Sequence, residues 1–242
     1  MFGWPWPCSM SLRMTTVIAA VDDADAVLAT DGLMEYGGDP YCESTVKIMV
    51  LRDSLLVGFI TNSLDSVRRI QAALAPGYVF DNPSEFSSAW NRGSRRVDYG
   101  YANAKARITR ALKELIGSEG YVEDEAGCGA MLVGRASGKQ RAVAWDTSCG
   151  TEPIREYDAG VLAIGSRPPD GTDEYEHFME LANGKKTTRG AERGLIAAIR
   201  YCAVDLKLPA INGNVATCRM SERGRIRWDF LPPSNTPAPD SP

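Results

Sequence analysis

"TTVIAAVDDADAVLATDG", Thr15 to Gly32, decides how the chain is read. Two short runs of β-branched and apolar residues flank the turn-forming Asp22-Asp23-Ala24-Asp25. The stretch predicts a hairpin, Thr15 to Val21 with Ala26 to Leu33. A second pair follows: "TVKIMVL" (Thr45–Leu51) and "SLLVGFI" (Ser54–Ile60), joined by Arg52 and Asp53. All four runs alternate only weakly and have apolar centres, as strands do when their sheet is covered.

The pattern then changes period. "SLDSVRRIQAAL" (Ser63–Leu74) and "YANAKARITRALKELIG" (Tyr101–Gly117) carry apolar residues at helical spacing, the second ending on a C-cap glycine. Strands return at Cys128–Ala136, Lys139–Asp146 and Gly160–Ser166. Helices are expected over Asp173–Ala182 and Arg189–Val204, and "NVATCRM" with "RIRWDFL" closes the chain as a hairpin (Asn214–Leu231). Strand blocks and helix blocks are segregated rather than alternating. That argues against a Rossmann or barrel fold and for an α+β protein: two stacked antiparallel sheets with helix layers outside. The Pro- and Ser-rich tail, 233–242, has little to bury and is expected to be disordered.

At 242 residues and 44% hydrophobic, the chain can bury a sizeable core. Its net charge of −4 is spread in mixed signs, which leaves no electrostatic footprint for nucleic acid. Apolar runs such as Ala159–Gly165 are too short to span a bilayer. "MFGWPWPCSMSLRM" lacks the basic start and continuous apolar core of an export signal, so a cytoplasmic protein is expected, with six free thiols. The single histidine, His177, excludes a multi-histidine metal centre and reads as an ordinary helix residue.

Asp31 and Lys47 stand sixteen and thirty-two positions after Thr15. In an antiparallel meander these strand ends return to one edge, bringing together a hydroxyl, a carboxylate and an ammonium. A hydroxyl is a poor nucleophile until a base takes its proton. If Thr15 were the first residue, its α-amine, with an ordinary pKa of about 7.7–8.0, would be such a base. Lys47 would hold the amine neutral by like-charge repulsion, and Asp31 would keep Lys47 charged and oriented. The scheme needs no histidine, metal or cofactor. Taken singly, a Thr-Thr strand start, an Asp-Gly turn and a strand lysine are ordinary structural features; the joint spacing carries the signal.

"TTVIAAV", "LATDG", "STVKI", "LLVGFITNSLD" and "LAIGS" resemble, in order and spacing, the β-type subunits of proteasomes, above all the bacterial heat-shock ring peptidase. The likeness runs from Thr15 to Ser166 and, more weakly, to Arg219. It implies a four-layer αββα sandwich of the N-terminal nucleophile hydrolase type over 15–232. It implies catalysis by Thr15, Asp31 and Lys47, with Ser166 relaying protons at the amine and the backbone N–H of Thr61 as oxyanion donor. Thr61 stands where the family usually has glycine. Asp205 is a tentative match to a late family aspartate, and Ile211 takes the place of the accompanying serine. Residues near Met34, Thr45, Met49 and Phe59 would line an apolar specificity pocket.

Met14 stands where self-cleaving family members carry glycine. Residues 1–14 are therefore expected to be a leader, or a start placed too far upstream with translation beginning at Met14. What the resemblance implies is a threonine endopeptidase in a homo-oligomeric ring, degrading unfolded polypeptides fed by a separate ATPase. The alternatives are a degenerate subunit that assembles without cutting, and an amidase of the same fold acting on a small amide. No P-loop is present: "NGKKTTRG" lacks the upstream glycine spacing.

Overall fold

The computed structural model describes residues 15–36, 39–42, 47–52, 55–61, 63–76, 97–184, 188–208, 211–222 and 225–231. The expected leader and tail lie outside them. The fold is α+β and every strand pairing is antiparallel.

Five strands make the first sheet: β1 (Thr16–Val21), β2 (Ala26–Asp31), β10 (Gly160–Gly165), β11 (Val215–Met220) and β12 (Ile226–Leu231). Their order is β10-β1-β2-β11-β12. The second sheet follows the chain in order: β5 (Ile48–Arg52), β6 (Leu55–Thr61), β7 (Cys128–Ala136), β8 (Lys139–Asp146) and β9 (Arg155–Tyr157). A small hairpin, β3 (Met34–Tyr36) with β4 (Asp39–Cys42), stands apart from both. The helices are α1 (Leu64–Leu74), α2 (Tyr101–Ile116), the short α3 (Glu123–Ala126), α4 (Asp173–Asn183) and α5 (Thr188–Arg200).

Every residue of β1 and β2 is buried, which explains why these strands barely alternate in sequence. Their side chains still alternate in destination. Val17, Ala19, Val21 and Leu28 point into a core shared with Leu56, Ile60, Met131 and Val133 of the second sheet. Ile18, Ala20, Val27 and Ala29 point the other way, onto Phe178 of α4 and Leu195, Ala198 and Ile199 of α5. The second sheet repeats the arrangement: Val57, Phe59 and Leu132 pack under Val67 and Ile70 of α1 and Ile108 and Leu112 of α2. The two sheets thus lie face to face with helices on their outer faces. They approach closely at Gly58, where an added Cβ would lie 2.7 Å from Val17 Cγ1.

Local chemistry sets the ends of the helices. Ser63 caps α1 by accepting the Asp65 N–H, and Thr172 caps α4 by accepting that of Tyr175. Beyond Arg200 the backbone loosens into a π-helical turn, Tyr201–Asp205, so the helix expected to run to Val204 changes type before its end. Both expected hairpins of the first half form, with the second starting at Ile48 rather than Thr45. The β3–β4 hairpin, α3 and β9 were not anticipated, because three or four residues cannot display a period. The expectation of free thiols holds for buried Cys128, Cys202 and Cys218. It fails for Cys149, on the exposed turn after β8, which is disulfide-bonded to a partner outside the described side chains.

Candidate active site

Four strand ends converge at one rim. Thr15 immediately precedes β1, Asp31 ends β2, Lys47 immediately precedes β5, and Ser166 immediately follows β10. Antiparallel pairing of β1 with both β2 and β10 fixes three of these in register, since Val17 faces Thr30 and Thr16 faces Gly165. Lys47 arrives from the second sheet, held by the bond from the Phe59 N–H to its carbonyl at 3.0 Å.

Asp31 is the hub. Its carboxylate is fully buried, and accepts the Thr16 N–H on Oδ1 and the Leu33 N–H on Oδ2, each at 3.0 Å. Lys47 Nζ donates to both oxygens, at 3.3 and 3.2 Å. The same ammonium donates to Thr15 Oγ1, so one cation bridges the acid and the alcohol. Burial pushes the Asp31 pKa up; Lys47 and the two N–H groups pull it back without cancelling the rise.

Ser166 enters through its backbone. Its N–H donates to the Thr15 carbonyl at 2.9 Å, and its carbonyl accepts from the Thr16 hydroxyl. Gly165 makes this contact possible. It adopts φ +87°, and an added Cβ would lie 1.9 Å from the Thr15 carbonyl oxygen, well inside any allowed contact. The backbone of Thr15 is therefore seated directly on a bare Cα.

The structure brings Thr15, Asp31, Lys47 and Ser166 together. Thr61 ends β6, one residue past Ile60, whose Cγ2 would lie 3.1 Å from a Cβ at Gly165. The Thr61 hydroxyl is turned back on its own loop, accepting the Ser63 N–H at 2.8 Å and donating to the Ser63 carbonyl at 2.5 Å. Asp205 is not drawn in. It is exposed in the π-helical turn after α5, on the outer helix layer. Ile211 is buried in the apolar core beneath that layer. Met49 and Phe59 pack in the outer core under α1 and α2, so their side chains do not line a pocket beside Thr15. The reason is parity: on β5 and β6 these positions face the helices, not the other sheet. Met34 and Thr45 lie outside the described side chains. His177 is exposed on α4, edge-on to the Tyr201 ring at 4.8 Å.

Two residues that sequence reasoning missed brace the hub. The Gly32 N–H donates to the Asn214 carbonyl at 2.9 Å and to Asn212 Oδ1 at 3.3 Å, tying the Asp31 turn to the segment that enters β11. Nothing in the local pattern of Asn212-Gly213-Asn214 marks a contact nearly two hundred residues away. Behind Gly165 lies a cavity of about 300 Å³, bounded by Asp146, Tyr157, Ala163, Arg167 and Tyr175.

Among the described residues no group of three or more His, Cys, Asp or Glu side chains could hold a metal ion, and no helix is long and apolar enough to cross a membrane. The chain matches no family model and no curated protein.

Proposed function

We propose that the chain is an N-terminal threonine peptidase of the proteasome β type, with a four-layer αββα fold of the N-terminal nucleophile class. One observation carries the reading: a single buried ammonium, Lys47, donates to the hydroxyl of Thr15 and to both oxygens of Asp31. A solvated structural lysine has no need of a buried alcohol and a buried acid at once.

With Thr15 as first residue, its amine accepts the Oγ proton while Oγ attacks a peptide carbonyl carbon. Lys47 lowers the amine's affinity for a proton before attack and steadies the negative charge that builds on Oγ. The tetrahedral oxyanion takes a backbone N–H, for which that of Thr61 is the candidate; such a donor is worth about 3–4 kcal/mol of barrier. Collapse breaks the C–N bond, the ammonium of Thr15 returns the proton to the leaving amine, and water then hydrolyses the Thr15 ester. The expected setting is cytoplasmic, in a homo-oligomeric ring that takes unfolded polypeptide from a separate ATPase.

The test starts the chain at Met14 and verifies by intact mass that Thr15 is exposed. Fluorogenic peptides are then hydrolysed by this protein and not by Thr15→Ala. Equal rates for the two overturn the reading. The second reading, a subunit that assembles without cutting, draws on the position of Asp205 outside the cluster. It would give equal rates together with a ring-sized mass by light scattering.

A further inference from the structure

We propose that β12 is a pairing edge for a second copy of this chain, independently of any catalytic role. Among the described residues β12 is hydrogen-bonded on one side only, to β11, and it is the last strand of its sheet. An open strand edge is a template for another strand unless its side chains forbid it. Here they select a partner.

The strand reads Ile226-Arg227-Trp228-Asp229-Phe230, a palindrome of chemical type: apolar, charged, aromatic, oppositely charged, apolar. Antiparallel pairing of two copies about a two-fold axis at Trp228 sets each Arg227 opposite Asp229 of the other copy. The same register sets Ile226 opposite Phe230, which is a large apolar side chain left 40% exposed. Shifting the axis to Arg227 puts arginine against arginine, and shifting it to Asp229 puts aspartate against aspartate. Like charges directly opposite one another oppose pairing, so one register is favoured and it is self-complementary.

Among the described residues, the surroundings leave room for it. Arg227 is 61% exposed and meets Asp229 within its own strand at 2.9 Å, an ion pair that can be exchanged for one between copies. Alongside, an open groove of about 550 Å³ runs between β12 and α5, walled by Arg193, Ile196 and Arg200. Main-chain pairing supplies the contact, and the charge pattern supplies the choice of partner.

The experiment measures the mass of the full chain by sedimentation equilibrium, for the parent, Arg227→Asp, Asp229→Arg and an equimolar mixture of the two variants. Each single variant sets like charges opposite each other and is expected to show half the parent's mass. In the mixture each aspartate of one variant faces an arginine of the other, which restores the parent's mass. The double exchange Arg227→Asp/Asp229→Arg, still self-complementary, restores it as well. Equal masses for the parent and the single variants overturn the proposal, as does a loss that mixing does not repair. Circular dichroism on the same samples confirms folding. Should either single variant fail to fold, the double exchange decides: half the parent's mass there overturns the proposal.

Discussion

Lys47–Asp31 and Lys113–Glu152 are ion pairs of the same formal charge, and they have almost nothing else in common. The first lies 3.2 Å apart with side chains 10% and 0% exposed; the second lies 2.7 Å apart with side chains 54% and 71% exposed. The shorter pair is the weaker one. On the surface, water screens the attraction and both side chains lose rotamer freedom, leaving about 0–1 kcal/mol. In the interior, neither charge can be left alone, and Asp31 needs two backbone N–H groups besides the lysine. Distance does not rank ion pairs; the cost of separating them does.

That contrast breaks first under truncation. Lys47→Ala strands a buried carboxylate and is expected to cost about 3–5 kcal/mol, whereas Lys113→Ala stays below about 1 kcal/mol. Urea denaturation of both variants checks the pair of values, and similar losses would mean that Lys47 is as solvated as Lys113. A somewhat smaller effect belongs to Gly165→Ala. A side chain at φ +87° against the Thr15 carbonyl should cost about 1–3 kcal/mol or more, read from the thermal unfolding midpoint. Gly138, also at positive φ but with nothing within 4 Å of an added Cβ, isolates the backbone strain, and Gly138→Ala should lose less.

The pH dependence of Asp31 sharpens the comparison from another side. Burial raises its pKa, so the folded chain holds the carboxyl proton more tightly than the unfolded chain does. Stability from this group is full below the unfolded value of about 3.9 and is lost as pH rises through the higher folded value. Asp31→Asn removes that slope. As pH rises from about 4, the variant should therefore gain on the parent in urea midpoint. A drift the other way would show that Lys47 outweighs burial. The smallest effect is chemical. Burial pushes the thiols of Cys128 and Cys202 up to about 12 and raises that of Cys218 too, so alkylation near pH 8 should leave all three unlabelled until the chain unfolds.

The meeting of Thr15 and Asp31 was legible because strand length and turn position fix where a hairpin returns. Lys47 was legible only through its spacing from the other two: it reaches the rim from the second sheet, and two hairpins read separately do not dictate how their sheets stack. The face on which Met49 and Phe59 lie was not legible, since strands buried on both sides carry no polar face to set their parity. Asp205 was misplaced for a related reason. The turn after α5 changes helix type, and no residue in Tyr201–Asp205 announces it. Asn212 and Asn214 escaped notice because their bonds to Gly32 depend on how the last hairpin docks beside β2, a long-range pairing that local pattern does not encode.

The strand that begins at Thr16 is not at the margin of its sheet. It is flanked by β10 on one side and β2 on the other, with every side chain buried. Amide protons of Val17 to Ala20 should consequently trade for deuterium only when the entire molecule opens, at a rate matching global unfolding. The rim thus has a strand paired on both sides and buried throughout as its foundation. Any breathing that admits or releases a bound molecule has to occur in the loops around it.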